Sequence, residues 1–131
     1  MSLNDPIADA LTRIRNAQRA GHEAVEINLN KTIEAILNIL KEEGFIASVS
    51  PFKEGAARKA RVELKYYQNR PVIRGLERVS KPGRRVYQQW KDIRPTFNNM
   101  GLSIYSTPKG VVSGKEAKFL HVGGEYICKV W

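Results

Sequence analysis

Two short segments near the end of the chain carry residue types suited to contacting phosphate groups and bases. The first, residues 106–110, reads Ser-Thr-Pro-Lys-Gly, and the second, residues 123–125, reads Gly-Gly-Glu. Hydroxyl groups both donate and accept hydrogen bonds, lysine supplies positive charge, and glycine lets the backbone approach a ligand closely. This combination favours a surface that contacts phosphate and bases over a catalytic pocket.

Residues that would support catalysis are sparse. The two histidines, His22 and His121, lie far apart in the chain, and no Gly-x-Ser-x-Gly motif accompanies them. The single cysteine, Cys128, alternates with Lys129 in an apolar segment, as a small core residue does. One cysteine and two distant histidines offer no metal-ligand spacing, and no Gly-Lys-Ser/Thr loop occurs. The sequence therefore predicts no enzyme, no metal site and no cofactor.

The charge distribution indicates what kind of partner the chain binds. The net charge is +9, and residues 53–85 alone hold 11 basic and 3 acidic residues. Residues 1–52 have a net charge of −2 and residues 86–131 a net charge of +3. A patch this concentrated favours nucleic acid first and an anionic membrane second, and a solvated face that keeps the protein soluble is the alternative.

Hydrophobic patterning predicts the elements that must position these residues. In the first half it predicts a helix begun by Asp5-Pro6, a strand over 25–29, and a helix capped by Asn30 and ended by Gly44. Strands are predicted over 45–49 and 60–66, with a turn over 51–58 between them. The order α-β-α-β-β is typical of a helix-covered sheet.

The second half reads as mostly antiparallel strands with short helices. Extended segments are predicted over 72–79, 84–87, 102–105 and 126–130, with a turn over 80–83. A short helix is predicted over 92–100, and a capping box at 113–116 predicts another that ends near Leu120. We therefore expect an α+β protein with domains 1–68 and 69–131.

The chain also carries signals about its compartment. Its N-terminus lacks a basic segment followed by an apolar one, no apolar run approaches the roughly 20 residues of a membrane span, and one cysteine allows no internal disulfide. We expect a soluble intracellular protein without a membrane partner.

Several motifs, in order along the chain, resemble the bacterial and organellar small-subunit ribosomal protein eight family. The matching segments are 5–9 (DPIAD), 11–16 (LTRIRN), 40–46 (LKEEGFI), 78–87 (RVSKPGRRVY), 106–111 (STPKGV), 116–117 (EA), 123–128 (GGEYIC) and the terminal Trp131. The resemblance implies a structural constituent of the small ribosomal subunit, in the cytoplasm or in an organellar stroma or matrix. It implies binding to the central domain of 16S ribosomal RNA, promotion of subunit assembly, and contact with neighbouring ribosomal proteins. Some members repress their own operon, which adds messenger RNA as a partner.

The resemblance also implies which residues contact RNA. In the C-terminal domain these are Ser106, Thr107, Lys109, Gly110, Gly124, Glu125 and Tyr87, together with Arg84 and Lys81 of the basic segment. In the N-terminal domain they are Asn4, Asp5, Thr12, Arg15 and Lys31.

Several of these assignments leave alternatives open. Tyr87 suits stacking on a displaced base or packing in the core, and Glu125 suits accepting from a base amine or orienting a neighbouring loop. Thr12 and Arg15 are as consistent with an ordinary polar helix face as with RNA contact. Pro108 stands where the family usually has serine, which removes a hydroxyl and a backbone N–H, and Gly114 stands where an acidic residue is common.

Two other classes of nucleic-acid-binding protein have less support. A small enzyme acting on nucleic acid would need clustered carboxylates for metal ions, and the basic region offers only Glu54, Glu63 and Glu77 at irregular spacing. A generic DNA-binding module would carry a helix-turn-helix or zinc-finger pattern, and neither is visible. The sequence favours a non-enzymatic RNA-binding protein.

Overall fold

The computed structural model describes residues 5–95 and 100–131, and the chain divides into two compact units, Met1–Arg74 and Gly75–Trp131. Helices and antiparallel sheets are mixed along the chain, which confirms the predicted α+β class. The division falls after residue 74, whereas the sequence placed it after residue 68. A short hairpin over 66–71 pairs Tyr66 with Pro71 and so keeps these residues in the first unit.

The first unit contains two helices and a three-stranded antiparallel sheet. Its elements are α1 (Pro6–Arg19), β1 (Ala24–Asn28), α2 (Lys31–Glu42), β2 (Ile46–Glu54), β3 (Ala57–Leu64), β4 (Tyr66–Tyr67) and β5 (Arg70–Pro71). The strand order is β1-β3-β2, and the apolar faces of the helices contribute to a core that includes Ile14, Ile27, Ile33, Leu37, Leu40, Ala60 and Val62. The predicted order α-β-α-β-β is confirmed for these elements.

Local capping chemistry explains where these helices begin and end. The side chain of Asp5 accepts a hydrogen bond from the Ala8 amide at 3.1 Å, and that of Asn30 accepts from the Ile33 amide at 2.8 Å. Each satisfies an amide that has no partner within the helix. After α2, Gly44 adopts a φ of +83°, the left-handed conformation that glycine adopts most easily.

The predicted turn over 51–58 is wrong. Strand β2 continues to Glu54 and β3 begins at Ala57, so the turn between them consists of only two residues, Gly55 and Ala56. Pro51 lies within β2, opposite Ala60. A proline is tolerated there because β2 is an edge strand, where a missing backbone N–H need not break the sheet.

The second unit is built around its last strand. Its elements are β6 (Leu76–Arg78), β7 (Tyr87–Gln88), a one-turn 3-10 helix (Trp90–Asp92), β8 (Leu102–Thr107), β9 (Gly110–Ser113), α3 (Gly114–Phe119) and β10 (Gly124–Val130). The sheet order is β6-β10-β8-β9, and β7 also pairs with β10. Ser113 caps α3 by accepting a hydrogen bond from the Glu116 amide at 3.1 Å, as its capping box predicts.

The predictions for the second half of the chain need several corrections. Of the extended segment predicted over 84–87, only Tyr87 lies in a strand. Only Leu76–Arg78 of the extended segment predicted over 72–79 forms a strand, and strand β9 was not predicted. The predicted helix over 92–100 includes residues 96–99, which lie outside the described residues. Of the rest, only Asp92 is helical, in the 3-10 turn, and Pro95 opposes a longer helix because it disfavours helical geometry at Arg94 and has no backbone N–H to donate.

Candidate nucleic-acid interface

The segment 106–110 is the tip of a β-hairpin. Ser106 and Thr107 end strand β8, Gly110 begins strand β9, and Pro108 and Lys109 form the turn between them. The hydroxyl of Thr107 accepts a hydrogen bond from the Lys109 amide at 3.1 Å and donates one to the Gly110 carbonyl at 2.8 Å. Thr107 therefore fixes the shape of the tip, and its remaining acceptor capacity faces solvent.

The other segment, 123–125, lies beside this hairpin because β10 pairs with both β7 and β8. Glu125 lies opposite Ser106 on β8 and opposite Tyr87 on β7. Directly paired residues of neighbouring strands project to the same face, with Cβ atoms about 5 Å apart. We call this set the Tyr87–Glu125–Ser106 row. The sheet thus brings together three predicted site residues that are separated by up to 38 positions in the chain.

Tyr87 lies on the surface of the second unit. Its side chain is 68% exposed, so it does not pack in the core. An exposed aromatic ring at the end of a row of polar side chains is available for stacking on an unpaired base. The side chain of the neighbouring Gln88 is held by the buried Tyr105, whose hydroxyl donates a hydrogen bond to the Gln88 side-chain oxygen at 2.6 Å.

The two glycines of the second segment permit close packing of three strands. A Cβ on Gly124 would overlap the Ser106 carbonyl oxygen and lie 3.1 Å from the Cα of Thr107. A Cβ on Gly123 would collide with the Gln88 carbonyl oxygen. Glycine at both positions is thus a condition for the close approach of β7 and β8 to β10.

Glu125 is engaged inside the protein. Its Oε2 accepts hydrogen bonds from the Ser80 hydroxyl at 2.6 Å and from Nη1 of Arg85 at 2.9 Å. Burial by itself raises the pKa of Glu125, but the two hydrogen bonds and the positive charges of Arg85 and Arg78 outweigh it, so the pKa lies below its ordinary value. Of the two roles predicted for Glu125, these contacts support the orientation of a neighbouring loop.

That loop is a basic turn formed by residues 81–85. The amide of Lys81 donates to the Arg84 carbonyl at 3.1 Å, and the amide of Arg84 donates to the Lys81 carbonyl at 2.9 Å. Pro82 and Gly83 form the corner between them, as the sequence predicts. Lys81 and Arg84 are exposed, and within residues 5–95 and 100–131 no carboxylate forms an ion pair with either.

The rest of the basic tract does not form one patch in one unit. Residues 53–74 belong to the first unit and residues 75–85 to the second. In the first unit, Arg58 forms an ion pair with Glu34 at 3.0 Å and Lys59 with Glu54 at 2.9 Å. Part of the predicted positive charge is therefore neutralised locally.

The residues predicted in the first unit have different environments. Asp5 is 5% exposed and caps α1, so its carboxylate has a structural role. Thr12 and Arg15 are half-buried on α1, and Lys31 is exposed at the first position of α2. Asn4 lies outside the described residues.

The described residues were also compared with the requirements of a metal site, a membrane span and a reactive cysteine. Within 5–95 and 100–131, no three His, Cys, Asp or Glu side chains group as metal ligands, and no helix is long and apolar enough to cross a membrane. Cys128 is buried, which raises the pKa of its thiol to about 12 despite the opposing charge of Arg78.

Sequence reasoning missed two features beside the row. Ser80 was assigned only to a turn, although its hydroxyl is the group that reaches Glu125. An open groove of about 650 Å³ also adjoins the row, and the centroid of the Trp90 ring on its wall lies 4.3 Å from that of His121, with the two rings tilted by 32°. The groove is lined by Tyr87, Gln88, Gln89, Trp90, Gly123 and Gly124.

Comparison with known proteins decides the family. The model of the family described as "Ribosomal protein S8" matches residues 5–131. The chain belongs to the ribosomal protein S8 family. It is 56% identical over 132 residues to the small ribosomal subunit protein uS8 of Leptospira biflexa serovar Patoc, covering all of both chains. It is 50% identical over 130 residues, 99% of each chain, to the proteins of the same name from Burkholderia cenocepacia and Paraburkholderia phymatum.

This membership confirms the family inferred from the sequence motifs. The relatives are structural ribosomal proteins of the small subunit, so the family assignment identifies a ribosomal protein and not an enzyme.

Proposed function

We propose that this protein is a structural constituent of the small ribosomal subunit that binds the central domain of 16S ribosomal RNA and promotes assembly of the subunit. The observation that carries this proposal is the Tyr87–Glu125–Ser106 row, which lies between the hairpin tip and the basic turn. Membership of the ribosomal protein S8 family supports RNA as the polymer, and it supports a ribosome-associated location with neighbouring ribosomal proteins as partners.

The row is suited to an irregular RNA helix. The major groove of regular A-form RNA is too deep and narrow for side chains, so a specific contact needs displaced bases or the shallow minor groove. The exposed ring of Tyr87 offers a stacking surface for one displaced base. The hydroxyls of Ser106 and Thr107 offer short-range hydrogen bonds to base edges or to 2′-hydroxyl groups.

Positive side chains on either side of the row would hold the RNA backbone. Lys109 lies at the hairpin tip, and Lys81 and Arg84 lie on the basic turn. Such contacts supply affinity and orientation, whereas the contacts to bases supply specificity. Gly110 contributes through its φ of +112°, which the turn at the tip requires.

The first unit adds a second set of proposed contacts to the RNA backbone. The residues proposed there are Lys31, Thr12, Arg15 and Asp5, together with Asn4, which lies outside the described residues. Asp5 would act by holding the first turn of α1, since its carboxylate is buried.

The same surface would bind any messenger RNA with a similar internal loop. Autoregulation of translation through the protein's own operon is therefore included in the proposal. Autoregulation needs no additional binding site, because the row and the basic turn recognise the shape of an RNA, which a messenger RNA can share with ribosomal RNA.

Competition binding with separate transcripts of the 16S RNA domains tests the proposal. We expect the central-domain transcript to bind at least about tenfold more tightly than the 5′ or 3′ domain at the same salt concentration. Tyr87→Ala should reduce that preference, while Tyr67→Ala, which changes an equally exposed tyrosine of the first unit, should leave it intact. Equal affinity for all three transcripts would contradict the proposal.

A further inference from the structure

Ser80 is a polar side chain whose burial calls for an explanation. It is 0% exposed, and its hydroxyl donates to Oε2 of Glu125 at 2.6 Å while accepting from the Val86 amide at 3.0 Å. Its own amide donates to the Tyr126 carbonyl at 3.0 Å. A buried hydroxyl with both functions used is retained only where its hydrogen bonds compensate for the loss of water.

These bonds join the two ends of the basic turn. Ser80 precedes the turn and Val86 follows it, so the Ser80 hydroxyl closes the base of residues 81–85. Glu125 then links that base to strand β10 through Ser80 and Arg85. We call these four groups, Ser80, Arg85, the Val86 amide and Glu125, the Glu125 network.

We propose that Ser80 is a positioning residue for RNA binding, which fixes Lys81 and Arg84 beside the Tyr87–Glu125–Ser106 row through the Glu125 network. This inference rests on the proposed function. It assigns the carboxylate of Glu125 to the protein's own loop and not to a base of the RNA.

Fixing Lys81 and Arg84 through the Glu125 network should have a measurable effect on RNA binding. Ordering a long, flexible side chain opposes binding, and less is lost when the backbone that carries it is already fixed. Each phosphate contact also releases counterions, which makes log K fall more steeply with log salt, by about 0.7–0.9 units of slope. Loss of the network would weaken the contacts of both Lys81 and Arg84 and should therefore reduce the magnitude of this slope by as much as about 2 units, even though no basic residue has been removed.

A double-mutant cycle in the full-length protein separates positioning from a general loss of stability. Arg84→Ala should weaken binding to the central-domain transcript by about fivefold in the unmodified protein. In a Ser80→Ala background the same change should cost less than about twofold, because Arg84 is no longer held in place. Residues that act independently would give equal losses in both backgrounds, and that result would overturn the inference.

Glu125→Gln provides a second route that does not depend on the folding of Ser80→Ala. It preserves side-chain volume and an acceptor for Ser80 but removes the charge that holds Arg85. We expect Arg84→Ala to cost at most about threefold in this background, and an undiminished loss would count against the inference. Circular dichroism verifies that each variant compared is folded.

The controls distinguish failure of this inference from failure of the proposed function. If Thr107→Ala and Arg84→Ala weaken specific RNA binding but the effects of Ser80→Ala and Arg84→Ala are additive, only the positioning role is wrong. If neither Thr107→Ala nor Arg84→Ala changes RNA binding, the proposed interface is itself wrong, and the role of Ser80 fails with it.

Discussion

Gly124 is a position in the second unit where neighbouring backbone atoms leave no room for a side chain. An added Cβ would overlap the Ser106 carbonyl oxygen, and it would lie 2.8 Å from the Ser106 carbonyl carbon and 3.1 Å from the Cα of Thr107. These neighbours are backbone atoms, which cannot rotate away as the end of a side chain can. Gly124→Ala should therefore force β8 and β10 apart at the end that carries the hairpin tip.

The expected magnitude follows from measured costs of overpacking. One extra methyl in a close-packed site costs about 1–3 kcal/mol, and each kcal/mol lowers the Tm of a chain of this size by about 3–6 °C. The control is Gly83→Ala in the basic turn, where a Cβ meets nothing within 4 Å. That change should alter the free energy of unfolding by less than about 0.5 kcal/mol.

Thermal unfolding followed by circular dichroism compares the two variants, and filter binding measures their affinity for RNA. Gly124→Ala should lose both stability and specific affinity, because Ser106 and Glu125 would no longer lie opposite each other. If Gly124→Ala were as stable as Gly83→Ala, the close approach of β8 to β10 would be refuted.

Three further predictions concern single residues. Thr107→Ala should weaken binding to a ribosomal RNA internal loop by about fivefold, because the hydrogen bonds that shape the hairpin tip are lost, and should leave binding to plain duplex RNA unchanged in filter assays. Equal losses on both RNAs would mean that the tip contributes only non-specific electrostatic attraction. Lys81→Ala should lower the salt slope of RNA binding by about 0.9 or less, and an unchanged slope would remove Lys81 from the phosphate contacts. Cys128, with a pKa raised to about 12 by burial, should resist a thiol reagent at pH 8 in the native protein and react once unfolded; rapid native labelling would contradict its burial.

Local chemistry made part of this fold predictable from the sequence. Asp5, Asn30 and Ser113 were all identified as helix caps, and each accepts the hydrogen bond expected of a cap. A cap depends on residues three or four positions away, so its signal is contained in a short window of sequence.

Pairing over long separations was not predictable in the same way. Strand β9 is only four residues long, and its hydrophobic pattern is too short to identify it without its partner β8. Pro51 was interpreted as part of a turn because the sequence does not show that β2 lies at an edge.

The candidate site was likewise predictable where its signal lies within a few residues, and unpredictable where it depends on residues far apart in the chain. The hairpin tip was found because its residue types are distinctive within five positions. The hydrogen bond from Ser80 to Glu125 joins residues 45 positions apart, so no local pattern could indicate it. The sequence likewise left Tyr87 between stacking and core packing, because only strand pairing determines which face of the sheet its ring occupies.

The measurement that tests the account most directly is chemical footprinting of this protein on naked 16S ribosomal RNA. We predict protection of an internal loop within the central domain, and reduced protection there when Tyr87 is replaced by alanine. Protection confined to the other domains would contradict the account.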